Sequence, residues 1–164
     1  RVLFRSRQSS KFIGHTGGVH SETAKDYNVY IDGIRRNLIM GLGNNDIPEN
    51  TLEALVNAQK HAGKGSIIVL LADNYSTPRD TSLIDSLKFP VKVIACGAVN
   101  HSVNPALVNI AYRTGGSVHN GEKDLYDFKG KKPVTGDNRP ILINKYRYLK
   151  KGKHLVCEMC GSYF

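Results

Sequence analysis

Ser66-Ile-Ile-Val-Leu-Leu-Ala72, followed at once by Asp73, decides how the rest of the chain is read. A continuous apolar run of strand length predicts a strand covered on both faces, as in a parallel sheet. Downstream, Arg79 to Lys88 predicts a short helix with Leu83, Ile84 and Leu87 inward. Val91-Lys-Val-Ile-Ala-Cys96 is a second buried strand, closed by Gly97. Asn104 then caps a helix with Pro105 in its first position, Leu107, Ile110 and Ala111 inward, and Gly115-Gly116 as its stop. Ser117-Val-His-Asn120 reads as a short third strand. Upstream, Leu52, Leu55, Val56 and Gln59 mark a helix ending at Gly63. Before it, Tyr27, Tyr30, Ile31, Ile34 and Leu38 recur at helical spacing, with Arg35 and Arg36 between them. Lys11 to Gly18 reads as a strand remnant and a glycine loop. Helices alternating with buried strands predict an α/β fold: a three-layer, doubly wound, mostly parallel sheet with helices on both faces.

A carboxylate at the carboxyl end of a parallel strand stands where open α/β sheets put their chemistry. Gly43-Asn-Asn-Asp-Ile-Pro-Glu49 supplies further oxygen donors on the loop before the Leu52 helix, with Pro48 suited to the first helical turn. Oxygen-only donors suit Mg²⁺, Mn²⁺ or Ca²⁺. Asp, Pro and Glu also begin helices for capping and dipole reasons, and a strand-end Asp also caps turns, so both readings stand.

From about Lys11 to Phe128 the chain resembles the von Willebrand factor type A domains. Gly43 to Glu49 is similar to the metal loop of the A-like domain in integrin beta subunits, whose pattern is Gly-Asn-x-Asp-x-Pro-Glu. Asp73 resembles that family's third metal motif, and Val93-Ile-Ala-Cys-Gly97 and Ala111-Tyr-Arg-Thr-Gly-Gly-Ser117 resemble its late strand and helix. The resemblance implies a metal-ion-dependent adhesion site with Glu49 and Asp73 as ligands. It implies a neighbouring cation near Asn44, Asp46 and the Pro48 carbonyl. The family's opening Asp-x-Ser-x-Ser motif does not occur here; Asp80-Thr-Ser82 and Asp85-Ser86 fail its spacing. The expected domain is therefore one that lacks its opening strands, with the Ser66–Ala72 strand left as an open edge.

The chain has 164 residues and a net charge of +9, enough length for one domain with a core. The charge is uneven: from Lys129 to His154 nine Lys and Arg face Asp137 alone, and the first seven residues hold three more. The remainder is slightly acidic, which argues against a nucleic-acid-binding body. No apolar run approaches about 18 residues, so no membrane span is expected. Residues 1–10, without an initial Met, read as a non-native or disordered leader, 11–128 as the type A-like domain, and 129–164 as a basic extension. Pro140 to Tyr148 and Lys153 to Cys157 alternate around Lys150-Lys-Gly152 and predict a C-terminal β-hairpin.

Three cysteines are too few for a disulfide framework and point to a reducing, cytoplasmic setting. His154-x-x-Cys157-x-x-Cys160 has the ligand types of half a zinc knuckle but lacks a fourth ligand. His15, His20, His61, His101 and His119 show no ligand spacing, and no nucleophile–base pair stands out. A thiol enzyme through Cys157 and Cys160 would need a depressed thiol pKa. The expected function is non-enzymatic: a cation-dependent module binding a protein partner through that partner's acidic side chain. The alternative is a nucleic-acid-associated protein acting through Lys145, Arg147, Lys150, Lys151 and Lys153, with Tyr146 and Tyr148 offered for stacking.

Overall fold

The computed structural model describes residues 2–6, 19–23, 26–29, 31, 32, 35, 48–75, 77–130 and 139–161. In chain order its first elements are β1 (Val2–Ser6), β2 (Val19–Thr23), β3 (Pro48–Glu49), helix α1 (Thr51–Gln59), β4 (Ile68–Asp73) and β5 (Thr77–Pro78). A 3-10 turn (Thr81–Ser86), β6 (Val91–Cys96), α2 (Pro105–Thr114), β7 (Ser117–His119) and β8 (Asp124–Asp127) follow. The chain closes with β9 (Ile141–Ile143), β10 (Tyr146–Lys151) and β11 (His154–Cys157). Residues 27–29, 31, 32 and 35 also have helical backbone, at the place of the first predicted helix.

The expected α/β class and mostly parallel sheet are present. The sheet order is β4-β6-β7-β8, with β4, β6 and β7 parallel and β8 antiparallel at the edge. The sequence pattern does not announce β8, because Asp124-Leu-Tyr-Asp127 carries charge at both ends of a short run.

β4 departs from expectation. It alternates instead of being covered on both faces: Ile68 is buried, whereas Val69 and Leu71 are 49% and 62% exposed. The face of Ile68 carries the core. There Val91, Val93, Ala95 and Val118 are fully buried together with Leu107, Val108, Ile110 and Ala111 of α2. Leu52 and Leu55 of α1 and Ile84 of the 3-10 turn join the same cluster. Both labelled helices thus serve one face. A helical layer on the other face is not among the described residues, and β4 is an edge strand among them.

α2 is buried from Pro105 through Tyr112 because it has a sheet on either side. The second sheet is antiparallel, β11-β10-β9, and contributes Ile143, Tyr148, Leu155 and Cys157 to the shared core. The predicted hairpin is therefore correct for β10 and β11 but incomplete, since Pro140 to Tyr148 is two strands. Asn144 and Lys145 both have positive φ (48° and 71°), the conformation a two-residue type I′ turn requires.

The predicted stop after α2 holds. Gly115 takes a left-handed conformation (φ 66°) and Asn104 caps the start, its Oδ1 accepting from the Ala106 N–H at 2.9 Å. Gly116 is needed for a different reason: a Cβ there would lie 1.9 Å from the Val91 carbonyl oxygen. The helix predicted over Arg79 to Lys88 shrinks to the 3-10 turn, and α1 begins at Thr51. Pro48 is accordingly in strand β3 and not in a first helical turn.

Candidate functional site

The carboxyl ends of β4 and β6 form a rim stitched by polar side chains. Asn74, just past β4, donates through Nδ2 to the Ser102 carbonyl (2.9 Å) and accepts through Oδ1 from the Asn104 N–H (2.8 Å). The loop after β6 is thereby tied to the end of β4. Nearby, β3 pairs in parallel with β5, matching Pro48 with Thr77 and Glu49 with Pro78, and Asn104 Nδ2 donates to Thr77 Oγ1 at 3.5 Å. Asp80 lies just beyond and is fully buried. Its two carboxylate oxygens accept the N–H groups of Leu52 (3.2 Å) and Glu53 (2.6 Å), capping α1 in place of Asn50, whose side chain caps nothing. Burial pushes the Asp80 carboxyl above its ordinary value, while the two backbone donors pull it down.

Asp73 ends β4 with an exposed side chain, and its Oδ1 accepts the Tyr75 N–H at 3.0 Å. One oxygen therefore closes a local turn, the bland role a strand-end Asp often takes. Backbone pairing sets Glu49 beside Pro78, five residues beyond Asp73. Asn44 and Asp46 lie outside the described residues. Among the described residues no group of three or more His, Cys, Asp or Glu converges to hold a metal ion.

The C-terminal candidates separate. Cys157 is buried in β11, and Cys160 is exposed in the turn closed by reciprocal bonds between the Cys157 and Gly161 backbones (3.2 and 2.8 Å). Those two thiols are hydrogen-bonded neighbours. His154 is three residues before Cys157 on the same strand, so it points to the opposite face. The predicted His154, Cys157 and Cys160 zinc set is not brought together. Burial, and then the Cys157 thiol, push the Cys160 thiol up, opposite to what a thiol nucleophile needs.

Lys145, Arg147, Lys151 and Lys153 are exposed and Lys150 is half-buried, but Arg147 is paired with Glu158 at 3.1 Å. The tyrosines are not offered for stacking. Tyr148 is fully buried and donates to the Val103 carbonyl, and Tyr146 donates to the Asn100 carbonyl at 3.2 Å.

One polar chain escapes a reading of the sequence. Ser117, His119 and Asp124 are hydrogen-bonded in series across β7 and β8. The only sequence signal is the two-residue spacing of Ser117 and His119 on a short strand; the partner strand is needed to complete it.

No family model, curated protein or solved structure matches the chain. No helix among the described residues is long and apolar enough to cross a membrane.

Proposed function

We propose that the chain is a divalent-cation-dependent protein-binding module of the adhesion type, using the rim at the carboxyl end of β4. The observation that carries this reading is the β3–β5 pairing, which puts the backbone of Glu49 against the segment that leaves Asp73. A hard cation would need carboxylate oxygens from these two segments to converge on it. Asp73 and Glu49 would supply oxygens, and Asn44 and Asp46 would support a neighbouring ion. Mg²⁺, or Mn²⁺ or Ca²⁺ in its place, would attract an acidic side chain of a partner protein into an open coordination position. In this reading the fold is of the type A kind, and the face of Val69 and Leu71 is the one a third layer would cover. Three free thiols accord with a reducing, cytoplasmic setting.

Calorimetry with MgCl₂ and MnCl₂ tests it. Binding is expected, and Asp73→Ala, at an exposed position, should abolish it. Absence of heat with both ions, or the same affinity in the variant, defeats the proposal.

The exposure of Lys145, Lys151 and Lys153 favours a second reading, nucleic-acid binding through the C-terminal sheet. It requires affinity to fall steeply with salt, each lost phosphate contact lowering the log–log slope by about 0.9. Retention unchanged in a Lys145, Lys151 and Lys153 triple-alanine variant defeats it.

A further inference from the structure

At the amino ends of the parallel strands, opposite the rim of Asp73, Ser66 and Ile67 before β4, Pro90 before β6 and Ser117 at the start of β7 border a cavity of about 660 Å³. Successive strand residues face opposite sides of a sheet, so Ser117 and His119 share a face while Val118 turns into the core. Ser117 Oγ lies 2.6 Å from His119 Nε2, and His119 Nδ1 lies 2.6 Å from Asp124 Oδ1. A carboxylate can only accept, so Nδ1 carries the ring proton and Nε2 is left to accept the Ser117 hydroxyl.

A register irregularity produces this alignment. Ser117 pairs with Asp127 and Val118 with Tyr126, but the ladder then skips Leu125 and sets Asp124 opposite His119. Bulges of this kind re-aim side chains beside functional sites. Without the skip, His119 would face an apolar residue.

We propose that this cavity is a hydrolytic site for small carboxylic esters, with Ser117 as nucleophile, His119 as general base and Asp124 as the residue that positions His119. Such a series is recognised by geometry and roles, not by chain order. Ser117 is only 7% exposed and lines the cavity, which restricts access to a small acyl group. Oγ attacks the ester carbonyl as its proton passes to His119 Nε2. The carbon–oxygen bond to the alcohol then breaks, and the departing alkoxide takes the proton from Nε2. Water repeats the sequence on the acyl-serine: its proton goes to Nε2, its oxygen bonds the acyl carbon, and the Oγ–carbon bond breaks. Oγ recovers the proton, and a carboxylic acid leaves. Lys92 lines the same cavity and is Ser117's neighbour across the parallel ladder. Its ammonium group would offset the negative charge that develops on the carbonyl oxygen.

The test is treatment of the full chain with diisopropyl fluorophosphate, followed by peptide mass mapping, alongside turnover of p-nitrophenyl acetate. One phosphoryl group is expected on Ser117, and Ser117→Ala and His119→Gln should each lower turnover about 100-fold or more. Asp124 is exposed, so Asp124→Asn leaves folding intact by circular dichroism. It should lower kcat with little change in KM, and Asp124→Glu should restore part of the loss. No label on Ser117, or turnover retained in His119→Gln, overturns the proposal. So does a kcat in folded Asp124→Asn equal to that of the parent. Cation binding at the Asp73 rim is read by a separate measurement, and neither result bears on the other.

Discussion

Asn109 and Leu155 bond each other twice: the Asn109 amide donates to the Leu155 carbonyl at 2.8 Å and accepts the Leu155 N–H at 2.6 Å. Asn109 is fully buried in α2 and Leu155 is fully buried in β11, so one side chain closes the backbone of a strand onto a helix. Asn109→Leu keeps the branched outline with somewhat more bulk, and leaves a buried donor and acceptor unpaired. The expected cost is about 3 kcal/mol, read as a lower urea midpoint with unchanged slope. A loss under about 0.5 kcal/mol would mean that the pairing is idle.

Asp80 makes α1 depend on a residue 28 positions beyond Leu52. Asp80→Ala should cost about 2 kcal/mol, because two buried N–H groups lose their acceptor. The pH dependence follows from the direction of its shift. Burial raises the folded pKa above the ordinary 3.8, so folding favours the protonated acid. That contribution is complete below the ordinary value and is lost as pH rises through the folded one. Wild type should therefore lose stability relative to Asp80→Asn as pH rises from the ordinary value of 3.8 through the raised folded one, as denaturant midpoints would record. A gap that widens in favour of wild type would contradict this.

At the alkaline end the relevant group is Tyr148. Burial pushes its phenol far above its usual value, and the Cys157 and Cys160 thiols push the same way. A raised folded pKa means stability held below the unfolded value near 10 and lost above it. Tyr148→Phe should cost about 1 kcal/mol at neutral pH through the lost bond to Val103. The variant should also be less sensitive than wild type to pH above about 10. Thermal melts across that range would show the two curves approaching.

Gly116 tolerates no side chain where it crosses Val91. Gly116→Ala should destabilise by about 3 kcal/mol, because the clash is with backbone that belongs to β6. A melting temperature equal to wild type would show that the two strands can part there at no cost.

The parallel sheet was legible because Val91 to Cys96 and the helix from Pro105 carry clear period and stop signals. Asn104, Pro105 and Gly115 each did what their chemistry demands. β4 misled because Ile67, Val69 and Leu71 are apolar on the face that the described residues leave open, and sequence hydrophobicity does not tell one face from the other. Two tight turns in place of one also hid in the sequence, since Asn144-Lys145 lacks a glycine and reads as strand. Of the candidate sites, Asp73 was found at its strand end, whereas the Ser117, His119 and Asp124 series depends on a ladder register that no local pattern announces.

The Asn144 turn reaches across to the loop after β6. Its amide nitrogen donates to the carbonyl oxygens of Ala98 (2.7 Å), Val99 (3.3 Å) and His101 (2.8 Å). A loop fastened by another element's side chain opens only when that element lifts away. Slow amide exchange in 98–103 and in 141–148 should accordingly vanish together under mild destabilisation, making tail and loop one cooperative unit.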